Sequence, residues 1–135
     1  MRMMRVAIVI ACSAPVGVAA DEKNYTIETN VPAEVKVGEA ATARLALVPK
    51  APYHANRQYP TRLRVSAPAE VALPKPEQKL ADATSFSEAR VEFSVPFTAS
   101  KPGAFAIDVD FKSAVCTKET CVPLREKIAW KVTAR

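Results

Sequence analysis

The chain has 135 residues, 49% of them hydrophobic and 24% charged. That composition fits one globular domain and excludes two ordinary domains, a disordered chain and a polytopic membrane protein. Eleven prolines against three glycines count against a helical bundle, because interior proline breaks helices. One histidine excludes a zinc site with several imidazoles, and any serine triad would have to use His54. The formal charge is +5, but Arg2 and Arg5 lie in the first 20 residues, so residues 21–135 carry +3 from 17 basic and 14 acidic side chains.

Residues 1–20 read as a secretory signal peptide, which leaves 21–135 as the mature domain. Arg2 and Arg5 form a positive start, Val6–Val18 is an apolar stretch of 13 residues, and Val18-Ala19-Ala20 offers small residues before Asp21. A membrane-spanning helix needs about 20 apolar residues, so no span is expected once the leader is removed. Val9-Ile10-Ala11-Cys12 is an alternative lipobox, which would anchor the protein as a lipoprotein through Cys12. Either reading exports the chain, to the periplasm or beyond.

After the leader, period-two alternation runs almost throughout. It is carried in turn by Tyr25 and Ile27; Ala43, Leu45 and Leu47; Leu63 and Val65; Val91, Phe93, Val95 and Phe97; Phe105, Ile107, Val109 and Phe111; and Ile128, Trp130 and Val132. Alternation of this kind marks strands with one buried face. Breakers separate them at Val37-Gly38-Glu39, Pro49-Lys50-Ala51-Pro52, Pro74-Lys75-Pro76 and Lys101-Pro102-Gly103. About seven short strands predict an all-β, immunoglobulin-like antiparallel β-sandwich, without the antibody-type Cys…Trp…Cys order. Gln78–Ala89 reads as a long loop, and Pro96 predicts an edge or a bulge in its strand.

The last two strands define a hairpin if the turn is centred between Lys118 and Glu119. Val109 then faces Ile128, Ile107 faces Trp130 and Phe105 faces Val132, apolar on apolar. Asp110 faces Lys127 on the other side, and Lys112 against Arg125 is the one mismatch. The same register puts Cys116 opposite Cys121 at the mouth of the turn, with both on the solvent-facing side.

Three uses of that pair follow from the residues. A structural disulfide is the common fate of paired cysteines in exported proteins. A bridge closing about six residues restricts the unfolded chain by only ~2 kcal/mol, against ~4–5 kcal/mol for one closing 100, and short exposed bridges are the ones that exchange with partner thiols. Two thiolates without further ligands make an incomplete zinc site, and copper(I) would want methionines, which all lie in the leader. No metal or cofactor is expected.

Val115-Cys116-Thr117-Lys118-Glu119-Thr120-Cys121-Val122-Pro123 resembles the active-site hairpin of the N-terminal periplasmic domain of the thiol:disulfide interchange protein DsbD family. There a strand runs into Cys, four or five residues, Cys, one residue and Pro. Ala51-Pro52-Tyr53-His54 is similar to that family's aromatic segment, and Pro68-Ala69-Glu70-Val71 to the segment before its cap loop. The resemblance spans residues 30–134. It implies an immunoglobulin-like domain, here free-standing and exported, with Cys116 and Cys121 as the redox-active pair. It also implies thioredoxin-like or other periplasmic disulfide oxidoreductases as partners. A cap loop shielding the disulfide would fall in Lys75–Phe86, with Leu80 or Phe86 as its shield.

The alternative function is a non-catalytic binding or adaptor module with a structural Cys116–Cys121 bridge. His54 reads as a loop histidine, and a base role would require it to fold over Cys116. Arg57, Tyr59 and Arg62 form a basic-aromatic stretch, but the charges are dispersed along the chain, so nucleic-acid binding is not expected. Arg125, Lys127 and Lys131 share the outward face of the last strand, a row that usually serves as solvated surface or edge protection and less often docks an acidic partner.

Overall fold

A computed structural model describes residues 23–135; the leader, Cys12 and the cleavage site lie outside the described residues. Each of the six alternating runs is a strand: β1 (Tyr25–Asn30), β3 (Ala40–Pro49), β5 (Arg62–Ser66), β9 (Arg90–Ala99), β10 (Gly103–Cys116) and β11 (Cys121–Ala134). Between them lie five segments of two or three residues: β2 (Glu34–Val35), β4 (His54–Ala55), β6 (Val71–Ala72), β7 (Glu77–Lys79) and β8 (Ser85–Ser87). The expected loop Gln78–Ala89 thus holds part of β7, a 3-10 turn at Leu80–Asp82 and β8. Their mostly polar residues carry no alternation to read. Pairing with β5 and β9 defines them instead.

The strands form two facing sheets. One runs β1-β3-β9-β6, with β8 also on β9; the other runs β2-β11-β10-β5-β7, with β4 also on β10. Every pairing is antiparallel except the short β11–β2 contact. The fold is an immunoglobulin-like β-sandwich. Gly38 takes φ +83° in the turn closed from Glu39 N–H to Lys36 O, a conformation that glycine reaches without steric cost.

Inward residues of the two sheets form one core. Leu45, Phe93, Leu63, Ile107 and Phe111 are fully buried. Phe93 and Phe111 meet across the sheets edge to face, with centroids 5.8 Å apart. Trp130 is 4% exposed and directly opposite Ile107, as the alternation predicts.

Pro96 sits opposite Thr42 in an unbroken β3–β9 register, so no bulge forms there. On its other side β9 pairs with β8 at residues 90–92 and with β6 at 98–99 only. Pro96 therefore lies where β9 is locally an edge, and its missing N–H costs no ladder bond. In that gap the buried Gln78 of β7 donates through Nε2 to Ser94 O at 2.7 Å, which ties the sheets together and satisfies a carbonyl the ladder leaves free.

Glu126 has inward parity on β11. A buried carboxylate there would be costly. Tyr25 Oη and Lys23 Nζ from the opposite sheet's edge both donate to its Oε1. An inward charge at a sheet edge also discourages edge-to-edge association.

Candidate functional site

The β10–β11 hairpin follows the predicted register from Gly103 opposite Ala134 to Cys116 opposite Cys121. Residues 117–120 form its tip. Thr117 N–H donates to Thr120 O at 2.7 Å, and the Thr117 hydroxyl accepts from the N–H of Glu119 and Thr120 at 3.3 and 3.2 Å. This local closure holds the cysteines opposite one another, and they form a disulfide with a Cα–Cα distance of 4.0 Å.

The two cysteines are not equivalent, contrary to the expectation that both face solvent. Cys121 is exposed, while Cys116 is 1% exposed. Cys121 lies on β11, whose outer side is uncovered there. Cys116 lies on β10, whose far edge takes a further strand: β4 places His54 opposite Cys116 and Ala55 opposite Val115. β5 returns to the same edge at Lys112, so residues 56–61 run beside the interval between. From that connection the Asn56 amide reaches both sulfurs, with Nδ2 at 3.8 Å from Cys116 Sγ and 4.0 Å from Cys121 Sγ.

Asn56 is held in place locally. Its Oδ1 accepts from Gln58 N–H at 2.8 Å, its carbonyl from Tyr59 N–H at 3.3 Å, and Ala55 N–H donates to Glu88 O at 2.8 Å. The Arg57 guanidinium stacks over the Phe86 ring at 4.2 Å, a contact that pins the segment to β8. A buried hydroxyl pair, Thr61 and Ser113 at 2.9 Å, closes the other end.

The cover therefore comes from the β4–β5 connection. Lys75–Phe86, where the family resemblance put a cap, is spent elsewhere. Its residues 77–79 extend the sheet beside β5, Leu80 and Phe86 pack half-buried on the core, and Phe86 supports the cover only through Arg57. His54 stands opposite Cys116 in the backbone ladder, but the side chain that reaches the sulfurs belongs to Asn56. Sequence reading missed Asn56 because a lone Asn between His54-Ala55 and Arg57 carries no pattern. Among the described residues no three His, Cys, Asp or Glu side chains converge as metal ligands.

Comparison with known proteins places the fold and goes no further. The chain is similar to a cohesin module from a Clostridium perfringens family 33 glycoside hydrolase, with a TM-score of 0.50 and 12% identity over 82% of this chain and 96% of that one. It is also similar to AggA, the major subunit of aggregative adherence fimbriae of Escherichia coli, with a TM-score of 0.44 and 11% identity over 82% and 94% of the two chains. A PapD-like domain of human CEP192 gives a TM-score of 0.40 and 13% identity over 99% and 96%. No family model and no curated protein matches the chain. At these identities the likeness concerns the β-sandwich alone.

Proposed function

We propose that this chain is an exported immunoglobulin-like domain that exchanges its Cys116–Cys121 disulfide with a dithiol partner protein of thioredoxin-like type, with the first attack falling on Cys121. The observation that carries this reading is the asymmetry of the bridge: Cys121 is an exposed residue, whereas Cys116 is buried, with the Asn56 amide 3.8 Å from its sulfur. A partner thiolate attacks Cys121 Sγ in line with the S–S bond. A partner–Cys121 disulfide forms, the Cys116–Cys121 bond breaks, and its electron pair leaves on Cys116 Sγ. The Asn56 Nδ2–H group stands where that negative charge develops. The partner's second thiolate then attacks its own sulfur in the mixed disulfide and releases Cys121 as a thiolate. Two electrons have passed to the domain, the partner is a disulfide, and the reverse sequence passes them to an oxidised protein. In this proposal the leader directs the chain to the periplasm, and the mature protein begins at Asp21.

One observation favours a second reading, a binding module in which the bridge is structural. Cys116 is packed like a core residue. The two readings differ in redox poise, since structural bridges typically lie below about −300 mV and exchanging ones lie higher. Titration of the native protein against a thiol–disulfide buffer, with thiols counted by alkylation, separates them. The exchange reading further expects Cys116→Ser, which leaves the exposed Cys121 thiol, to trap a mixed disulfide in envelope extracts. Cys121→Ser should trap little. A bridge that stays intact in thiol until denaturant unfolds the domain would overturn exchange and leave the structural reading.

A further inference from the structure

The outer face of the six-stranded sheet carries two adjacent rows of charge across β7, β5, β10 and β11. In the first row Glu77, Arg64, Asp110 and Lys127 stand in register, with acid and base alternating. In the next row, one step nearer the disulfide, Lys79, Arg62, Lys112 and Arg125 stand in register, four cations on four neighbouring strands. At about 4.8 Å between strands the row is ~14 Å wide. Like charges directly opposed in a sheet are destabilising, so this arrangement works against the fold.

The sheet relieves only part of that repulsion. Arg62 reaches back to Glu77 at 3.3 Å and Arg125 to Asp110 at 2.9 Å, both in the row behind. Lys79 and Lys112 make no ion pair among the described residues. A cleft of about 560 Å³ opens between them, lined by Arg57, Tyr59, Arg62, Leu80 and the two lysines, with no carboxylate in its wall. The lining residues come from three separate stretches of chain, so charges that look dispersed in the sequence converge here. Parity puts Lys112 and Arg125 on the same outer face as Cys116 and Cys121, four residues along the hairpin, ~13 Å at 3.3 Å per residue.

We propose that the Lys79–Arg62–Lys112–Arg125 row and its cleft dock an acidic segment of the partner protein whose thiol attacks Cys121. This rests on the exchange reading and adds the chemistry of the partner: carboxylates ~13 Å from its nucleophilic sulfur. Bound carboxylates would neutralise the opposed cations. Before contact, the cationic face would steer an acidic partner onto the hairpin, an effect that salt screens.

The test has two arms. In the first, a labelled deca-aspartate peptide without cysteine is titrated against the wild type at low ionic strength. Saturable binding is expected, weakened at least about tenfold by the Lys79→Glu, Lys112→Glu double variant and by physiological salt. The double variant should melt at or above the wild-type temperature, since it removes like-charge contacts. A control with the same change in net charge, Lys36→Glu with Lys101→Glu, should bind as the wild type does. Equal loss in the control would overturn the proposal, as would no binding to the wild type. So would tighter binding of a single-stranded oligonucleotide of equal charge through the same two lysines.

In the second arm, an acidic peptide bearing one cysteine should open the bridge several-fold faster than a neutral peptide with the same cysteine. The Lys79→Glu, Lys112→Glu variant should abolish that advantage while its reduction by dithiothreitol stays unchanged. An acidic peptide with no advantage overturns the docking proposal and leaves exchange standing. Failure of dithiothreitol to reduce the native bridge overturns exchange, and the first arm then reads the row as a docking surface without redox chemistry.

Discussion

Asp110 stands directly opposite Lys127 in the β10–β11 ladder, yet its carboxylate accepts from Arg125, one diagonal step away, through Nε at 3.1 Å and Nη2 at 2.9 Å. Arg125 itself faces Lys112, another cation. Its planar fork turns from that repulsion to the carboxylate behind it, where it makes the bidentate contact that a lysine ammonium cannot. The mismatch visible in the sequence is thus reorganised by a side chain and leaves Lys112 without an ion pair among the described residues.

The Arg125 hydrogen bonds hold the Asp110 carboxyl below its ordinary range, and the Lys23 and Tyr25 hydrogen bonds do the same for Glu126. Depressed carboxylates contribute stability that is present above their unfolded values, near 4, and that is lost as pH falls through the lower folded values. Urea denaturation should therefore show stability declining below about pH 4, and Asp110→Asn with Glu126→Gln should flatten that decline. The Glu126 share should be larger, because its side chain is 19% exposed against 30% for Asp110.

The phenol of Tyr25 is pushed up to about 12, first by burial and then by the Glu126 carboxylate that accepts its proton in a hydrogen bond. The folded value lies above the unfolded one of 10.0, so the stability this group contributes is complete below pH 10 and lost between 10 and 12. Spectrophotometric titration should show one of the three tyrosines ionising near pH 12. Tyr25→Phe should remove that step. Glu126→Gln should lower it without restoring the ordinary value, because burial remains the larger cause.

Trp130 combines a buried indole with a buried Nε1–H that has no hydrogen-bond partner among the described residues. Trp130→Ala should destabilise by ~3–5 kcal/mol, the range for aromatic truncation in cores. Trp130→Phe should cost clearly less. It keeps a ring in the site and removes a donor whose desolvation is uncompensated, a penalty of about 1–3 kcal/mol. Paired denaturation curves check both. Equal losses would mean that indole shape, not burial, dominates the site.

The hairpin register was legible because both strands carry apolar alternation and the short tip leaves one alignment that matches it. The burial of Cys116 was not legible, because its cover comes from residues 54–61, more than fifty positions upstream, in a polar stretch without periodicity. β7 and β8 were hidden for the same reason: Glu77-Gln78-Lys79 and Ser85-Phe86-Ser87 become strands through the neighbours they pair with. The cationic row was half visible as Lys112 against Arg125. Its other half, Arg62 and Lys79, comes from β5 and β7, whose order in the sheet no local pattern encodes.

The bridge closes a loop already fixed by the Thr117 hydrogen bonds and by the full β10–β11 ladder. Cys116→Ala with Cys121→Ala should therefore leave the fold intact and cost about 2 kcal/mol, the loop-closure share of so short a bridge. Chemical denaturation measures the loss, and near-ultraviolet circular dichroism around Trp130 reports whether the core is kept. A double variant that fails to fold would favour the structural reading of the bridge.

Asn56 Nδ2 lies within 4.0 Å of both sulfurs, so on the exchange reading the charge at this position should govern the rate at which the bridge opens. Asn56→Asp keeps the size of the side chain and exchanges a donor for a negative charge. That charge repels an incoming thiolate at Cys121 and disfavours the thiolate that must leave on Cys116, so both effects act in one direction. Reduction by dithiothreitol at neutral pH should slow several-fold. It should recover toward the wild-type rate as the pH is lowered through the carboxyl's titration, once both rates are corrected for the thiolate fraction of the reagent. Asn56→Ala removes the donor and the cover together, two opposed effects, and should change the rate less than Asn56→Asp. Equal rates for wild type and Asn56→Asp across the pH range would show that the amide is a spectator and that the exposure of Cys121 alone governs access to the bridge.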